Sequence, residues 1–267
     1  MNILIVNDDG YRGPGLHALI AALKDEHNLT VAVPAREKSG TSNSVTFLTP
    51  LTVEKVYLPQ VDFDIWVVDG TPADCTVLAL DQLVEERPDV ILSGINNGAN
   101  IADSVIYSGT IAAALQGAFQ NIPTFALSAD FNCQDFQVIA EIFQEMLPKF
   151  MQREKGKMFF YSLNFPAIPR QEIKGIKKTV ISASRMIERF EKRRNPYGSD
   201  YYWHVYDDIN DGVQGGFSAV DEDMRGYITD VEAVSQGYIS VTPIKLDYLD
   251  HQKFKELDDF ADVFAVD

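Results

Sequence analysis

Nowhere in the sequence do about eighteen apolar residues run together, so no segment reads as a helical membrane span. The chain opens M-N-I-L-I-V with no basic segment before its first acidic pair, which reads against a signal peptide. A soluble, unexported, cytoplasmic protein is the expectation. Cysteine is scarce: Cys75 and Cys133 lie far apart in no C-x-x-C or Cys/His spacing, which argues against a disulfide framework and a thiolate zinc site. Both read as small packing residues. Positive charge is in deficit, with 23 Lys and Arg against 39 Asp and Glu and a net charge of −16. That balance disfavours a sequence-independent grip on long nucleic acid, which rests on cations neutralising phosphates. A small anionic substrate stays open if a cation meets it locally. The four histidines, His17, His27, His204 and His251, fall in no motif and read as surface or packing residues rather than ligands or nucleophiles. No G-x-G-x-x-G follows a strand and opens a helix, so dinucleotide binding is disfavoured.

What is present is a chain of 267 residues, 46% hydrophobic, long enough to bury a sizeable core. Short apolar runs alternate with segments of helical period. Asn2 to Val6, Leu29 to Val33, Ile65 to Val68, Val90 to Leu92 and Thr124 to Leu127 read as strands. Leu16, Leu19, Ile20 and Leu23 mark one helix. A second is expected from Asp74, with Val77, Leu80 and Val84 on one face, and a third runs from Thr110 to Phe119. Phe136, Ile139, Phe143, Met146, Leu147 and Phe150 mark a long amphipathic helix. Strands alternating with helices imply right-handed crossovers and a mainly parallel sheet covered on both faces. Residues 1–165 are therefore expected to form a doubly wound, Rossmann-like α/β core. Residues 166–267 read as an extension: basic from Lys174 to Arg194, rich in Gly, Asp and Tyr from Asn195 to Gly216, β-like from Tyr227 to Pro243, and acidic and amphipathic from Leu246.

In open parallel sheets, ligands gather at the carboxyl ends of strands, so polar residues directly after an apolar strand are the place to look. Asn7-Asp8-Asp9-Gly10 follows the first strand. Adjacent carboxylates repel unless a cation or solvent separates them, and Gly10 permits a turn that aims both at one point; a solvated turn is the competing reading. Ser39-Gly40 follows the second strand and is bland by itself. Ser93 to Asn100, S-G-I-N-N-G-A-N, offers neutral oxygens and backbone able to approach an anion. Tyr107-Ser108-Gly109-Thr110 enters a helix, where a hydroxyl and free N–H groups suit an anion, or where Ser and Thr are simply caps.

Together these segments resemble the SurE survival-protein family of 5′- and 3′-nucleotidases. The resemblance rests on N-D-D-G at Asn7 to Gly10, P-G at Pro14-Gly15, S-G at Ser39-Gly40 and G-T-P-A-D-C at Gly70 to Cys75. It continues through S-G-I-N-N-G-A-N at Ser93 to Asn100 and Y-S-G-T at Tyr107 to Thr110. Later matches are N-F-P at Asn164 to Pro166, Y-Y-W at Tyr201 to Trp203, and D-V-E-A-V-S-Q-G-Y-I-S-V-T-P at Asp230 to Pro243. By resemblance the metal ligands fall on Asp8, Asp9, Ser39 and Asn96, and the phosphate contacts on Asn100, Ser108, Gly109 and Thr110, with Asp8 as general base. The resemblance also implies a homodimer or homotetramer exchanging C-terminal elements. Two departures stand out: Tyr11-Arg12-Gly13 precedes P-G, and Ile101-Ala102-Asp103 stands where Gly-Asp-Asp often follows G-A-N.

The inferred ligands are hard oxygens, suited to one Mg²⁺ or Mn²⁺ per subunit. The expected reaction is metal-assisted in-line attack of water on a nucleoside monophosphate, with Asn100, Ser108 and helix-start N–H groups on the phosphoryl oxygens. A haloacid-dehalogenase-like phosphatase would need D-x-D, whereas Asp8 and Asp9 are adjacent. A non-catalytic receiver-like module shares the acidic pair but leaves G-I-N-N-G-A-N and Y-S-G-T unexplained.

Overall fold

The computed structural model of the chain describes residues 1–210, 224, 226–245 and 254. The segment expected to be amphipathic from Leu246 lies outside these apart from Phe254, as do residues 211–216 of the Gly-rich stretch. Six strands run parallel in the order β4-β2-β1-β5-β6-β7: β1 (Asn2–Val6), β2 (Asn28–Pro34), β4 (Phe63–Val68), β5 (Val90–Asn97), β6 (Thr124–Ala129) and β7 (Phe160–Phe165). The chain winds outward from β1 through β2 to β4, then restarts at β5 on the other side and winds to β7. That reversal opens a crevice between the carboxyl ends of β1 and β5. The expected doubly wound, mainly parallel core is the one observed.

Alternation along β1 shows how both faces are filled. Ile3 and Ile5 pack with Leu16, Leu19, Ile20 and Leu23 of α1 (Pro14–Leu23) and with Ile139, Phe143 and Leu147 of α5 (Phe136–Arg153). Leu4 and Val6 point the other way, into a cluster with Cys75 of α2 (Pro72–Leu78), Ala79, and Ala113 of α4 (Gly109–Phe119). The side chains of Ile3, Leu4, Ile5 and Val6 are at most 1% exposed, so β1 lies at the centre of the core and Asp8 sits two residues beyond its end.

The expected strands and helices are found, with instructive differences. The strand beginning at Val90 does not stop at Leu92. It runs to Asn97, because Asn96 and Asn97 pair with Ser128 and Ala129 of β6 after a register shift following Ser93. The helix expected from Asp74 starts at Pro72, capped by Thr71, and becomes a π turn over Ala79–Leu83. Its buried side is Ala73, Cys75, Thr76 and Ala79, while Val77 is exposed. Of the apolar face expected from Val77, Leu80 and Val84, Leu80 and Val84 pack against the same core cluster and only Val77 is turned outward; the small residues Ala73, Cys75 and Ala79 are what close packing of α2 on α4 admits. An unforeseen strand, β3 (Val53–Leu58), hairpins antiparallel onto β4 at one edge.

Residues beyond Pro166 add to the other edge. The stretch from Tyr227, expected to be β-like, divides into α6 (Asp230–Ser235) and β11 (Ile239–Pro243). Strand β11 pairs antiparallel with β7, and β8 (Ile176–Lys178) pairs with β11. Strands β9 (Arg185–Arg194) and β10 (Asp200–Asn210) form a separate two-stranded hairpin. No described helix is long and apolar enough to cross a membrane.

Candidate active site at the carboxyl ends of β1 and β5

Beyond Val6 the chain turns sharply. Gly10 has φ +78°, and a Cβ there would lie 3.1 Å from both Arg36 C and Pro34 O, so glycine is needed for conformation and for space. Asn7 braces the turn by donating Nδ2 to Gly10 O at 2.9 Å; its Oδ1 is buried with no partner. Asp8, 3% exposed, faces the start of α4, where its Oδ1 accepts the Thr110 hydroxyl proton at 2.5 Å. The approach is close enough that a Cβ on Gly109 would stand 2.8 Å from Asp8 Cβ and 2.9 Å from Oδ2. Asp9 turns toward β5, and its Oδ2 accepts from Asn97 N at 3.1 Å.

Both carboxyls are held above their ordinary range. Burial pushes Asp8 up to about 6, with the Thr110 hydrogen bond opposing and the Asp9 charge assisting. Burial also raises Asp9, opposed by Asn97 N–H and assisted by Glu37. Among the described residues, the charges that act on these two groups are themselves negative: Asp9 on Asp8, and Glu37 on Asp9.

The predicted ligands Ser39 and Asn96 arrive from both sides of β1. The loop after β2 docks on Asp8 through Lys38 N, which donates to Asp8 O at 2.8 Å. One residue on, exposed Ser39 donates its hydroxyl to Glu37 Oε1 at 2.9 Å, joining it to the carboxylate that acts on Asp9. Asn96 lies on β5 next to Asn97, beyond the register shift that re-aims the strand end. Its Nδ2 is committed to Gly98 O at 2.8 Å, which leaves its side-chain oxygen as the atom that could accept a cation.

Of the predicted phosphate contacts, Gly109 and Thr110 lie directly against Asp8, while Asn100 is held by β6 and β7. Ser108 caps α4 by accepting from Ile111 N at 3.1 Å, which leaves its own hydroxyl proton to donate. Capping and anion binding are therefore compatible at this residue. Thr110 gives its hydroxyl to Asp8, which makes it first a support for that carboxylate. Asn100, 6% exposed, gives Nδ2 to Ser128 Oγ at 2.8 Å, and one N–H of its amide remains. Its backbone N donates to Asn164 Oδ1 at 2.8 Å, and Asn164 Nδ2 returns a bond to Asn100 O at 3.2 Å.

Sequence reasoning missed several of these supports. Glu37 carried no signal, lying in a turn whose only mark was the following Ser-Gly. Ser128 and Asn164 support Asn100 from β6 and β7, and the N-F-P match at Asn164 was the one clue. The role of G-T-P-A-D-C is also visible: Asp74 accepts from Thr46 N at 2.9 Å, Thr46 Oγ1 at 2.6 Å and Thr71 N at 2.9 Å, stapling the loop after Ser39 to α2. Burial pushes Asp74 upward, yet these bonds outweigh it and hold the carboxyl below its ordinary range.

A divalent cation fits these residues on three grounds. Asp8 is buried and Asp9 half-buried, with negative charge acting on both, an oxygen of Asn7 is buried without a partner, and the oxygens of Ser39 and Asn96 are hard neutral donors. Among the described residues no three His, Cys, Asp or Glu side chains gather as a metal site, so an ion here needs the amide and hydroxyl oxygens as well.

Comparison with known proteins gives a consistent picture. The family model described as survival protein SurE matches residues 3–188. A protein of Fervidobacterium nodosum named 5′-nucleotidase SurE is 37% identical over 262 residues, covering 97% of this chain and 96% of its own. One of the same name from Heliobacterium modesticaldum is 37% identical over 261 residues, covering 97% and 92%. The crystal structure of the SurE protein from Aquifex aeolicus superposes with a TM-score of 0.76 at 35% identity, covering 97% of this chain and 99% of that one. With the family model spanning well over half its length and such relatives matching nearly all of it, this chain belongs to the SurE survival-protein family.

Proposed function

We propose that this chain is a divalent-metal-dependent phosphomonoesterase that hydrolyses nucleoside 5′- and 3′-monophosphates. Nucleotidase activity is supported by full-length similarity to relatives named 5′-nucleotidase. The observation that carries the metal dependence is the acidic pair itself: Asp8 buried and Asp9 half-buried, both pushed toward the neutral form by desolvation, with Asp9 and Glu37 as the charges that act on them among the described residues.

Asp8, Asp9, Ser39 and Asn96 would hold one Mg²⁺ or Mn²⁺ per subunit. When bound, that ion supplies Lewis-acid polarisation of a phosphoryl oxygen and neutralises the charge of the carboxylates. The chain's own groups do the rest. Asp8 would be the base that takes a proton from the attacking water, and the Thr110 hydroxyl supports it by donating to its Oδ1. Ser108, the remaining amide N–H of Asn100 and the Gly109 N–H at the start of α4 donate to the other phosphoryl oxygens, where charge grows in the transition state. A receiver-like module is the weaker reading, since it gives no task to Asn100 or to Ser108.

The extension after Pro166 would serve assembly into a homodimer or homotetramer, checked by light scattering at micromolar concentration. For the activity, phosphate release is measured from a panel of 5′- and 3′-monophosphates after chelation and after return of Mg²⁺ or Mn²⁺. Activity abolished by chelator and restored by the ion is the expected result; full activity after exhaustive chelation overturns the mechanism.

A further inference from the structure

The late motif beginning at Asp230 has no part in the chemistry above, yet Asp230 is 1% exposed and is tied directly to the site. Its Oδ2 accepts from Ala102 N at 3.1 Å, across 128 positions of sequence. Its Oδ1 accepts from Ser182 N at 2.9 Å and Val231 N at 2.9 Å. Three backbone N–H groups from three segments thus converge on one buried carboxylate. This is the arrangement that makes such a group a junction rather than a surface charge.

The residue held on the Oδ2 side is unusual in its own right. Ala102 is 1% exposed and has φ +51°, a left-handed conformation that an L side chain rarely adopts and that persists where the surroundings dictate it. It stands two residues after Asn100 and opens the short run through α3 (Ser104–Tyr107) to Ser108. The same run is fixed at its other end by Ser104, whose hydroxyl donates to Ile101 O and accepts from Ile101 N at 2.9 Å. Residues 100–108 therefore leave β5 and reach α4 by a path whose sharpest turn is held by the C-terminal extension.

We infer that Asp230 is a positioning residue for the phosphate wall: by fixing Ala102 in its left-handed turn it sets Asn100 and Ser108 at their working separation. The inference rests on the proposed phosphatase reading. It explains why an extension outside the parallel core carries a long motif match, and it separates two parts of the site. Asp8 and Asp9 stand in the turn directly after β1 and Asn96 on β5, with no bond to Asp230 among the described residues, whereas Asn100 and Ser108 flank the run that Asp230 holds.

The test compares wild type with Asp230→Asn, which keeps the shape but turns one carboxylate oxygen into an NH₂ that faces N–H donors. KM for a nucleoside monophosphate should rise at least tenfold, with Mg²⁺ affinity by calorimetry within about twofold of wild type. Hydrogen exchange should quicken at the amides of residues 99–104 and stay slow in β1 and β5. A wild-type KM, or Mg²⁺ affinity falling in step with KM, overturns the inference. Should Asp230→Asn fail to fold, Ala102→Val poses the same question from the loop, since a β-branched residue resists positive φ. The same split is expected, and a wild-type KM contradicts it. If wild type itself releases no phosphate from any monophosphate, the catalytic reading fails. Hydrogen exchange then decides the positioning role alone.

Discussion

The hydroxyl of Thr110 donates to Oδ1 of Asp8 at 2.5 Å, joining the end of the first strand to the start of α4 across 102 positions of sequence. The bond fixes the orientation of a buried carboxylate and is the principal attraction favouring its charged form. Thr110→Val keeps the shape and removes the bond. Loss of a hydrogen bond to a charged group is worth about 1.5–3 kcal/mol, so kcat/KM should fall roughly tenfold to a hundredfold. Steady-state kinetics at saturating Mg²⁺ checks this, and a wild-type value removes Thr110 from the account.

Gly109 makes a harsher test of the same contact. An added methyl would lie 2.8 Å from Asp8 Cβ and 3.0 Å from Pro72 Cγ, in a region without slack. Gly109→Ala is expected to cost about 1–3 kcal/mol of stability by overpacking. It should also displace Asp8, so that activity is lost while the protein remains folded by circular dichroism. An active Gly109→Ala variant would mean that α4 and β1 do not approach as described.

The carboxyl of Asp8 also has a signature in ion-free protein. Its proton is held more tightly in the folded state, with the ordinary value of 3.8 raised to about 6 by burial first. The stability this provides is complete below pH 3.8 and is lost as pH rises through 6. In chelator, wild type should therefore lose up to about 3 kcal/mol relative to Asp8→Asn between pH 4 and pH 7. Melting curves of the two proteins across that window check the sign. Parallel curves would show that Asp8 is not destabilised by its surroundings.

Which parts of this were legible in the sequence follows from how local each cause is. The apolar run from Ile3 to Val6, followed at once by N-D-D-G, announces both the strand and the acidic turn, because strand pattern and turn chemistry are properties of neighbours. Ser108 at the head of Ile111 and Leu115 is legible for the same reason. The continuation of β5 through Asn97 is not. Asparagine and glycine disfavour strands by themselves, and only pairing of Asn96 and Asn97 with β6 overrides that preference. Glu37 acts on Asp9 through a loop fold that no periodicity encodes, and Asn164 supports Asn100 from 64 positions away. Of the expected apolar face, Leu80 and Val84 do meet the core, while exposed Val77 does not and the small residues of the packed side of α2 were passed over by hydrophobic spacing.

The most direct measurement of the central claim is the response of Asp9→Asn to Mg²⁺. If Asp8 and Asp9 converge on one ion, the substitution relieves like-charge repulsion, so stability in chelator should be unchanged or slightly raised, while most phosphate release is lost. Mg²⁺ should raise the melting temperature of wild type by mass action and that of the variant far less. A variant that keeps both the wild-type thermal shift and the wild-type rate would contradict the account, because Asp9 would then be a turn residue that asparagine replaces without loss.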